Sequence, residues 1–382
     1  RGLAENVLQH EVFGHGQTPT AYRPPAYPLL LVPCAAAGAG TRFAIGALHV
    51  LLGLTTVAIT FALARRAGMR PVLAALAAGL VAADPILLAQ SALVMRETLA
   101  ALLVVLSVYL LDRCARRPTF GNAAWAGMAL GATVLCRPGL LAFAALAIVV
   151  MVWLGRMECG GRVESGEGGE RKDDRRNEGT HWRGVWKMFA GVVAGLLVVV
   201  GPWMVRNQFA IGRPKVATTH GGYTLLLGNN RFFYDHLRSG PWFEAWRAEP
   251  FHAWWRRDLQ AAGLIESEAL SERFVFRSPA AELQADALAY RRAIAAIRSE
   301  PRMFAWSCLV RAGHFWSPLP FRLSPDETPL RRAARWSVGA WYIVELTLAT
   351  IGIGCTFFGR HRTPRSALWW SLLLALSLMA VH

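Results

Sequence analysis

Phe43 to Ala64 reads FAIGALHVLLGLTTVAITFALA. An apolar run of roughly 20 residues is what a helix needs to cross a hydrocarbon core about 30 Å thick at about 1.5 Å per residue. Backbone amides in lipid have no water to bond, so such a run folds as a helix unless strands close into a barrel. Further apolar runs occupy Pro71 to Gln90, Ser91 to Leu111, Asn122 to Cys136, Gly139 to Leu154, Met188 to Val205, Gly339 to Phe358 and Ser366 to His382. None alternates with the two-residue period of a barrel strand. The expected fold is all-α, a polytopic transmembrane helix bundle with a mainly helical exterior domain. Composition agrees, since 54% of residues are hydrophobic and 17% charged, unlike a soluble domain.

These runs divide the chain into an exterior segment (1–42), transmembrane helices (43–154), a cytoplasmic loop (155–187), a transmembrane helix (188–206), an exterior domain (207–336) and final transmembrane helices (337–382). The loop carries GGRVESGEGGERKDDRRNEG, dense in glycine and in charges of both signs, and is expected to be disordered. Its glycines follow no strand and precede no Gly-Lys-Ser/Thr, so it is no phosphate loop. Orientation follows from arginine. Arg65, Arg66 and Arg70 share one turn, Arg113, Arg116 and Arg117 another, and Arg360, Arg362 and Arg365 a third. The positive-inside rule makes these turns cytoplasmic. The amino-terminal segment and the long domain then face the exterior, the periplasm of a bacterial inner membrane.

A net charge of +16 is split between those turns and a scattered exterior domain, without a basic helix or aromatic-interleaved stripe, so nucleic acid is not an expected partner. The six cysteines include no CxxC pair and outline neither a disulfide framework nor a zinc site. The exterior domain is rich in tryptophan, with Trp242, Trp246, Trp254, Trp255, Trp306 and Trp316. These rings suit the headgroup layer of a membrane or a sugar-stacking surface. Ala280 to Arg298 has helical periodicity, Pro301 opens a further helix to Phe315, and Gly221 to Asn230 reads as a turn-rich loop.

Four arginines stand at the exterior mouths of the spans, where the positive-inside rule disfavours them: Arg23, Arg96, Arg137 and Arg206. Charge at membrane depth is costly and calls for a partner or a pathway. Asp84 and the pair Arg96-Glu97 fall on one helical hairpin at similar depth, so they can meet as a structural ion pair, or Arg96 or Glu97 can face an exterior cleft. Guanidinium groups grip phosphate bidentately and stabilise the charge on a phosphate leaving group, so a lipid phosphate accounts for the arginines together.

AYRPPAYPLLL at Ala21 to Leu31, the Arg96-Glu97 hairpin, CRPG at Cys136 to Gly139 and PWMVRNQFAIGRPKVATTHGGYTLLLGNN at Pro202 to Asn230 resemble bacterial glycosyltransferases of family 39. That family includes the dolichyl-phosphate-mannose-protein mannosyltransferases and the lipid A aminoarabinose transferases. The resemblance implies a GT-C fold and transfer of a sugar from a polyprenyl-phosphate carrier to an acceptor that the sequence does not identify. It implies that Arg23 contacts the carrier phosphate, with Pro24 and Pro25 fixing its direction. It further places Tyr22 and Tyr27 of the same motif, Arg206, Asn207, His220 and Asn229 at the substrate cleft.

Tyr22 stands where the aminoarabinose enzymes carry an acidic metal ligand, so no metal site carries over, and the sequence names no cofactor. The family's catalytic acid lies earlier in the first exterior loop. Glu5 and Glu11 are the only acids before Arg23 and neither fits that pattern, so the catalytic residue is unassigned. The chain is therefore expected to be a fragment lacking a first span and the base, and further helices are expected beyond the short run at Ser366 to His382. The competing reading is a polytopic transporter or lipid flippase, which would want ionisable residues near the bilayer midplane and matched halves.

Overall fold

The structure, a computed structural model, describes residues 1–151, 174–241, 244–265, 274–322, 326–358 and 366–381. Helix α1 (Gly2–His10) is followed by a small antiparallel pair, β1 (Gly14–His15) and β2 (Thr18–Pro19). Then come α2 (Ala26–Leu30), α3 (Val32–Ala35), α4 (Thr41–Arg66), α5 (Pro71–Ala83), α6 (Pro85–Ser91), α7 (Glu97–Arg116), α8 (Phe120–Cys136) and α9 (Pro138–Met151). The remaining helices are α10 (Asp174–Ile211), α11 (Gly221–Gly228), α12 (Arg231–Ser239), α13 (Glu249–Ala261), α14 (Pro279–Ser299), α15 (Pro301–Phe315), α16 (Pro329–Phe358) and α17 (Ser366–Val381). The protein is all-α in character, and among the described residues β1 and β2 are its only named strands.

Among the described residues, four helices are long and apolar enough to cross a membrane: Gly38–Arg66, Glu97–Arg116, Gly184–Ile211 and Pro329–Cys355. The pair α5 and α6 adds a fifth if it counts as one span, bent by 51°. The bend has a local cause. Pro85 disfavours the helical conformation at Asp84, which sits at φ −59°, ψ 119°, and its carboxylate caps α6 by accepting from the Leu87 amide at 2.7 Å. Asp84, read in the sequence as able to meet Arg96-Glu97, is the cap of α6. Nor does a helix begin at Ser91, as the apolar pattern suggested; α6 ends there and α7 starts at Glu97.

Two other expectations change. Most of the loop expected to be disordered lies outside the described residues, but from Asp174 onward the chain is helix α10. Gly221 to Gly228, read as a turn, is helix α11. Its glycines serve close approach rather than a turn. A Cβ at Gly222 would lie 2.2 Å from the Asp286 carbonyl oxygen of α14, and one at Gly221 would lie 2.4 Å from the Tyr290 hydroxyl.

The chain forms two compact units, residues 1–23 with 206–359, and residues 24–205 with 360–381. In the second, α7 packs against α8, α4 and α17, and α4 against α5. The seam between α8 and α10 is built on facing small residues. Gly127 and Gly131 on one helix and Gly191 and Gly195 on the other repeat at four-residue spacing, the small-xxx-small pattern by which helices in lipid bring their backbones together. A Cβ at Gly127 would lie 2.0 Å from the Val192 carbonyl oxygen, and one at Gly195 would lie 2.0 Å from that of Ala124. Ser107 of α7 and Thr133 of α8, both buried, join hydroxyls at 3.1 Å.

At the arginine-rich end of α4 and α7, the fully buried Asp112 carboxylate accepts from Arg66 at 2.9 Å and from Arg116 at 2.9 Å. The Arg66 guanidinium also lies 5.1 Å from the Tyr109 ring centre. Two residues of the turns used to assign orientation are thus also structural partners of a buried charge.

The first unit has its own core. Leu226, Phe251, Trp255, Leu259 and the alanines 281, 285, 289 and 293 of α14 are buried together, and Trp246 and Trp254 pack against them. Part of the tryptophan content therefore packs around a protein core rather than facing lipid or sugar. Trp306 and Trp316 remain exposed, and Trp242 lies outside the described residues.

Gly195→Val should force α8 and α10 apart at a backbone contact that has no flexible side chain to yield, costing about 3 kcal/mol or more. Gly201→Ala, where no atom lies within 4 Å of the added carbon, should be neutral or slightly stabilising. Thermal unfolding of the two variants in detergent checks the contrast; equal melting temperatures would remove the seam from the account.

Candidate functional site

In the first unit the amino-terminal segment is fastened before its arginine by a buried carboxylate. Glu282 of α14 is 2% exposed. One of its oxygens accepts from the Ala21 amide at 3.0 Å and from the Thr219 hydroxyl, and the other accepts from the Thr20 hydroxyl. The strand-like contact continues, with the Thr219 amide donating to the Ala21 carbonyl at 3.0 Å and the Thr218 hydroxyl to the Tyr22 carbonyl at 2.6 Å. Arg206 adds a second fastening. Its guanidinium donates to the Thr20 carbonyl at 2.8 Å, the Phe13 carbonyl at 2.7 Å and the neighbouring Asn207 side chain at 3.0 Å.

One turn along α14, Asp286 accepts from the Gly222 amide at 2.8 Å and pairs with Lys215 at 3.0 Å. The Asn207 amide donates to the Lys215 carbonyl at 2.9 Å, so residues 206–222 and the amino-terminal segment lie on one helix face. A buried carboxylate left without these donors would be costly, which is why both acids are so fully bonded.

This framework presents a group of rings. Tyr22 meets His220 edge-on at 4.5 Å and Phe276 at 5.2 Å, and His220 meets Tyr223 at 4.8 Å. The exposed Arg23 lies 5.4 Å from the Tyr22 ring centre, within cation–π range. Burial raises the Tyr22 phenol above its ordinary pKa, with Tyr223 adding to the effect, and burial raises Tyr223 in the same way while Arg23 opposes it. Both phenols therefore stay protonated donors at physiological pH. Of the residues singled out in the sequence, the fold brings Tyr22, Arg23 and His220 together, and it sets Tyr223, which was not among them, beside His220. Asn229 lies elsewhere. It is buried at the far end of α11, roughly 12 Å along the helix at 1.5 Å per residue, where its amide donates to the Leu225 carbonyl at 2.8 Å and its oxygen accepts from Tyr234 at 3.2 Å.

The second unit holds the other predicted residues. Arg96 and Glu97 open α7 and approach each other at 3.7 Å, too long for a hydrogen bond. Glu97 Oε2 is buried without a hydrogen-bond partner. The Cys136 thiol donates to the Arg96 carbonyl at 3.8 Å. The backbone of Arg96, at the start of α7, therefore lies beside Cys136, the residue before Arg137 at the end of α8. Tyr27 belongs to this neighbourhood as well. Burial first, then Cys34, Glu97 and Cys136, push its phenol up to about 12.

A residue the sequence reading passed over completes this group. His49 sits inside the first apolar run, is 3% exposed, and bonds the Tyr27 hydroxyl at 2.8 Å and the Ser91 carbonyl at 2.7 Å. It is the only ionisable residue between Phe43 and Ala64, and that isolation was the signal. Glu282 and Asp286 had a weaker one: they are spaced four apart beside an alanine stripe of the same period. Among the described residues, no group of three or more His, Cys, Asp or Glu side chains is placed to hold a metal ion.

Removing the Glu282 carboxylate should release the segment it fastens. Glu282→Ala leaves buried hydroxyls and an amide without an acceptor, a cost of about 3 kcal/mol or more. Hydrogen exchange at residues 20–23 should rise by about a hundredfold or more while exchange in α4 stays unchanged; uniform exchange across both would refute the local role.

Residues 35–167 match the family model described as Dolichyl-phosphate-mannose-protein mannosyltransferase. The family resemblance therefore holds over this stretch, which contains His49, Arg96, Glu97, Cys136 and Arg137. Tyr22, Arg23, Tyr27 and the block from Pro202 to Asn230 lie outside it. No curated protein and no solved structure matches the chain.

Proposed function

We propose that this multi-pass membrane protein is a glycosyltransferase that takes a sugar from a polyprenyl-phosphate carrier and passes it to an acceptor on the exterior face of a bacterial inner membrane. The observation that carries the reading is that the Arg96 carbonyl meets the Cys136 thiol, one residue before Arg137, with Glu97 beside Arg96, inside the stretch that matches the mannosyltransferase model. Two guanidiniums at helix ends are poorly explained as membrane anchors on a side where the positive-inside rule disfavours them. They suit a phosphate whose negative charge grows as the sugar departs, because an arginine keeps its charge in a low dielectric and bonds two oxygens at once.

In the first unit, taken by itself, Tyr22, His220 and Tyr223, with Arg23 exposed beside them, form a group of rings and donors of a kind that suits a sugar. Arg206 contributes indirectly in this reading, since its donors hold the backbone that carries Tyr22 and Arg23. The exterior placement rests on the arginine bias of the connecting turns.

One observation favours the transporter alternative, the helix pair broken by 51° at Asp84, because discontinuous helices line many transport sites. Proline explains that break without a substrate, and the family match favours transfer.

The test uses the full-length protein in lipid nanodiscs with polyprenyl-phosphate mannose as donor. Arg96→Ala and Arg137→Ala should each lower kcat/KM by about a hundredfold, equivalent to about 2.7 kcal/mol, and Arg→Lys at either position should recover only part of the loss. Transfer by both alanine variants at the wild-type rate would sink the phosphate role. Sugar-lipid flux without any transfer would favour the transporter.

A further inference from the structure

Helix α10 stops at Ile211, and Gly212, at φ 75°, turns the chain out of the helix, a left-handed conformation that glycine adopts without strain. Arg213, Pro214 and Lys215 follow and form one wall of an open groove of about 590 Å³. The other wall is a face of α14 that includes Leu283, Gln284 and Ala287, with Leu283 and Ala287 one turn apart. Both walls belong to the first unit. The volume falls in the range of roughly 300–1,000 Å³ found for small-ligand clefts.

The two cations are held differently. The Lys215 ammonium donates to Asp286 Oδ2 at 3.0 Å, and the Lys215 carbonyl accepts from the Asn207 side chain at 2.9 Å. Its charge is balanced and its position fixed, yet an ammonium keeps further donors for a ligand. Arg213 is exposed, and among the described residues its guanidinium has no hydrogen-bond or ion-pair partner. The groove therefore carries one unbalanced positive charge beside the apolar surface of Leu283 and Ala287.

A phosphodiester matches that charge with a single negative one and offers oxygens to both cations. The apolar wall suits the glycerol carbons that such a headgroup brings with it. Location selects the source. The candidate span Gly184–Ile211 ends two residues before Arg213, and two residues reach at most about 7 Å, so the guanidinium stands at the headgroup layer where that span leaves the hydrocarbon. We infer that this groove seats the headgroup of an anionic phospholipid, with its phosphodiester on Arg213 and Lys215 and its glycerol end on Leu283 and Ala287. Neither transfer nor transport of a sugar lipid requires such a site, so it stands apart from the function proposed above.

Binding of dioctanoyl phosphatidylglycerol to the full-length protein in an uncharged detergent, read by native mass spectrometry, tests the site. Arg213→Ala should weaken binding about tenfold, as expected for one lost charge-assisted hydrogen bond. Ala287→Glu, which sets a carboxylate in the groove, should weaken it at least as much. Both altered residues are exposed, so melting in lipid-free detergent should not change. Arg291→Ala, which removes an exposed arginine of α14 outside the groove, should leave binding unchanged. Dioctanoyl phosphatidylcholine, which has no net charge, should bind the wild type about tenfold more weakly. Undecaprenyl-phosphate mannose should bind Arg213→Ala as it binds the wild type.

No binding of phosphatidylglycerol by the wild type, unchanged binding in Arg213→Ala or Ala287→Glu, or equal binding of the two phospholipids would overturn the inference. So would an equal loss in Arg291→Ala, which would mark a diffuse charge effect. A matching loss of undecaprenyl-phosphate mannose in Arg213→Ala would give the groove to the carrier, and displacement by equimolar inorganic phosphate would reduce it to a free-anion site; either result also overturns the phospholipid. A wild-type protein that binds phosphatidylglycerol but no sugar carrier would instead bring down the function proposed above and leave this site standing.

Discussion

A helix in hydrocarbon satisfies its own backbone, so the remaining constraint is to place every polar side chain against a partner while the helices approach closely. The α8–α10 seam meets the second half of that demand with glycine, and the Ser107–Thr133 and His49–Tyr27 bonds meet the first by pairing polar side chains with each other. Asp112 shows how strict the demand is. A fully buried carboxylate persists there because Arg66 and Arg116 both reach it, and removing either would leave a charge that the apolar surroundings cannot solvate.

The first unit solves a similar problem without needing lipid to explain it. Glu282 and Asp286 lie beside the alanine face of α14, where small side chains let α11 come close enough for backbone amides and threonine hydroxyls to reach the carboxylates. The alanines and the acids are therefore one device. Closeness brings donors into range, and the donors make burial of two charges tolerable. Neither acid is thereby left as a free base, since both oxygens of each accept hydrogen bonds from the protein.

Helix type and approximate position were legible because the 20-residue apolar run, the periodicity of Ala280 to Arg298 and the proline start at Pro301 have simple physical causes. The reading failed where one residue type serves two purposes. Glycine at 221 and 222 signals a turn or a close helix contact, and only the partner helix decides between them. Asp84 was read only for the ion pair it could make, but an aspartate directly before a proline is also a helix cap. Glu282 is 261 residues from the amide it holds, and no local pattern encodes such a contact.

The arginines make the same point with consequences for function. Composition treats Arg96, Arg137 and Arg206 as equivalent, and the sequence grouped them by their place at span ends. Their surroundings differ. Arg206 has backbone carbonyls at 2.7 and 2.8 Å along its guanidinium edges, so moving it to meet a phosphate would cost the bonds that hold Phe13 and Thr20. Arg96 has its neighbouring carboxylate at 3.7 Å, a weak tether that an incoming anion can replace. A cation that organises its own chain is poorly suited to following a leaving group, whereas one held loosely at a helix start can shift toward charge as it develops. Within the second unit, that argument favours Arg96, at the loosely held start of α7, for the phosphate role proposed above.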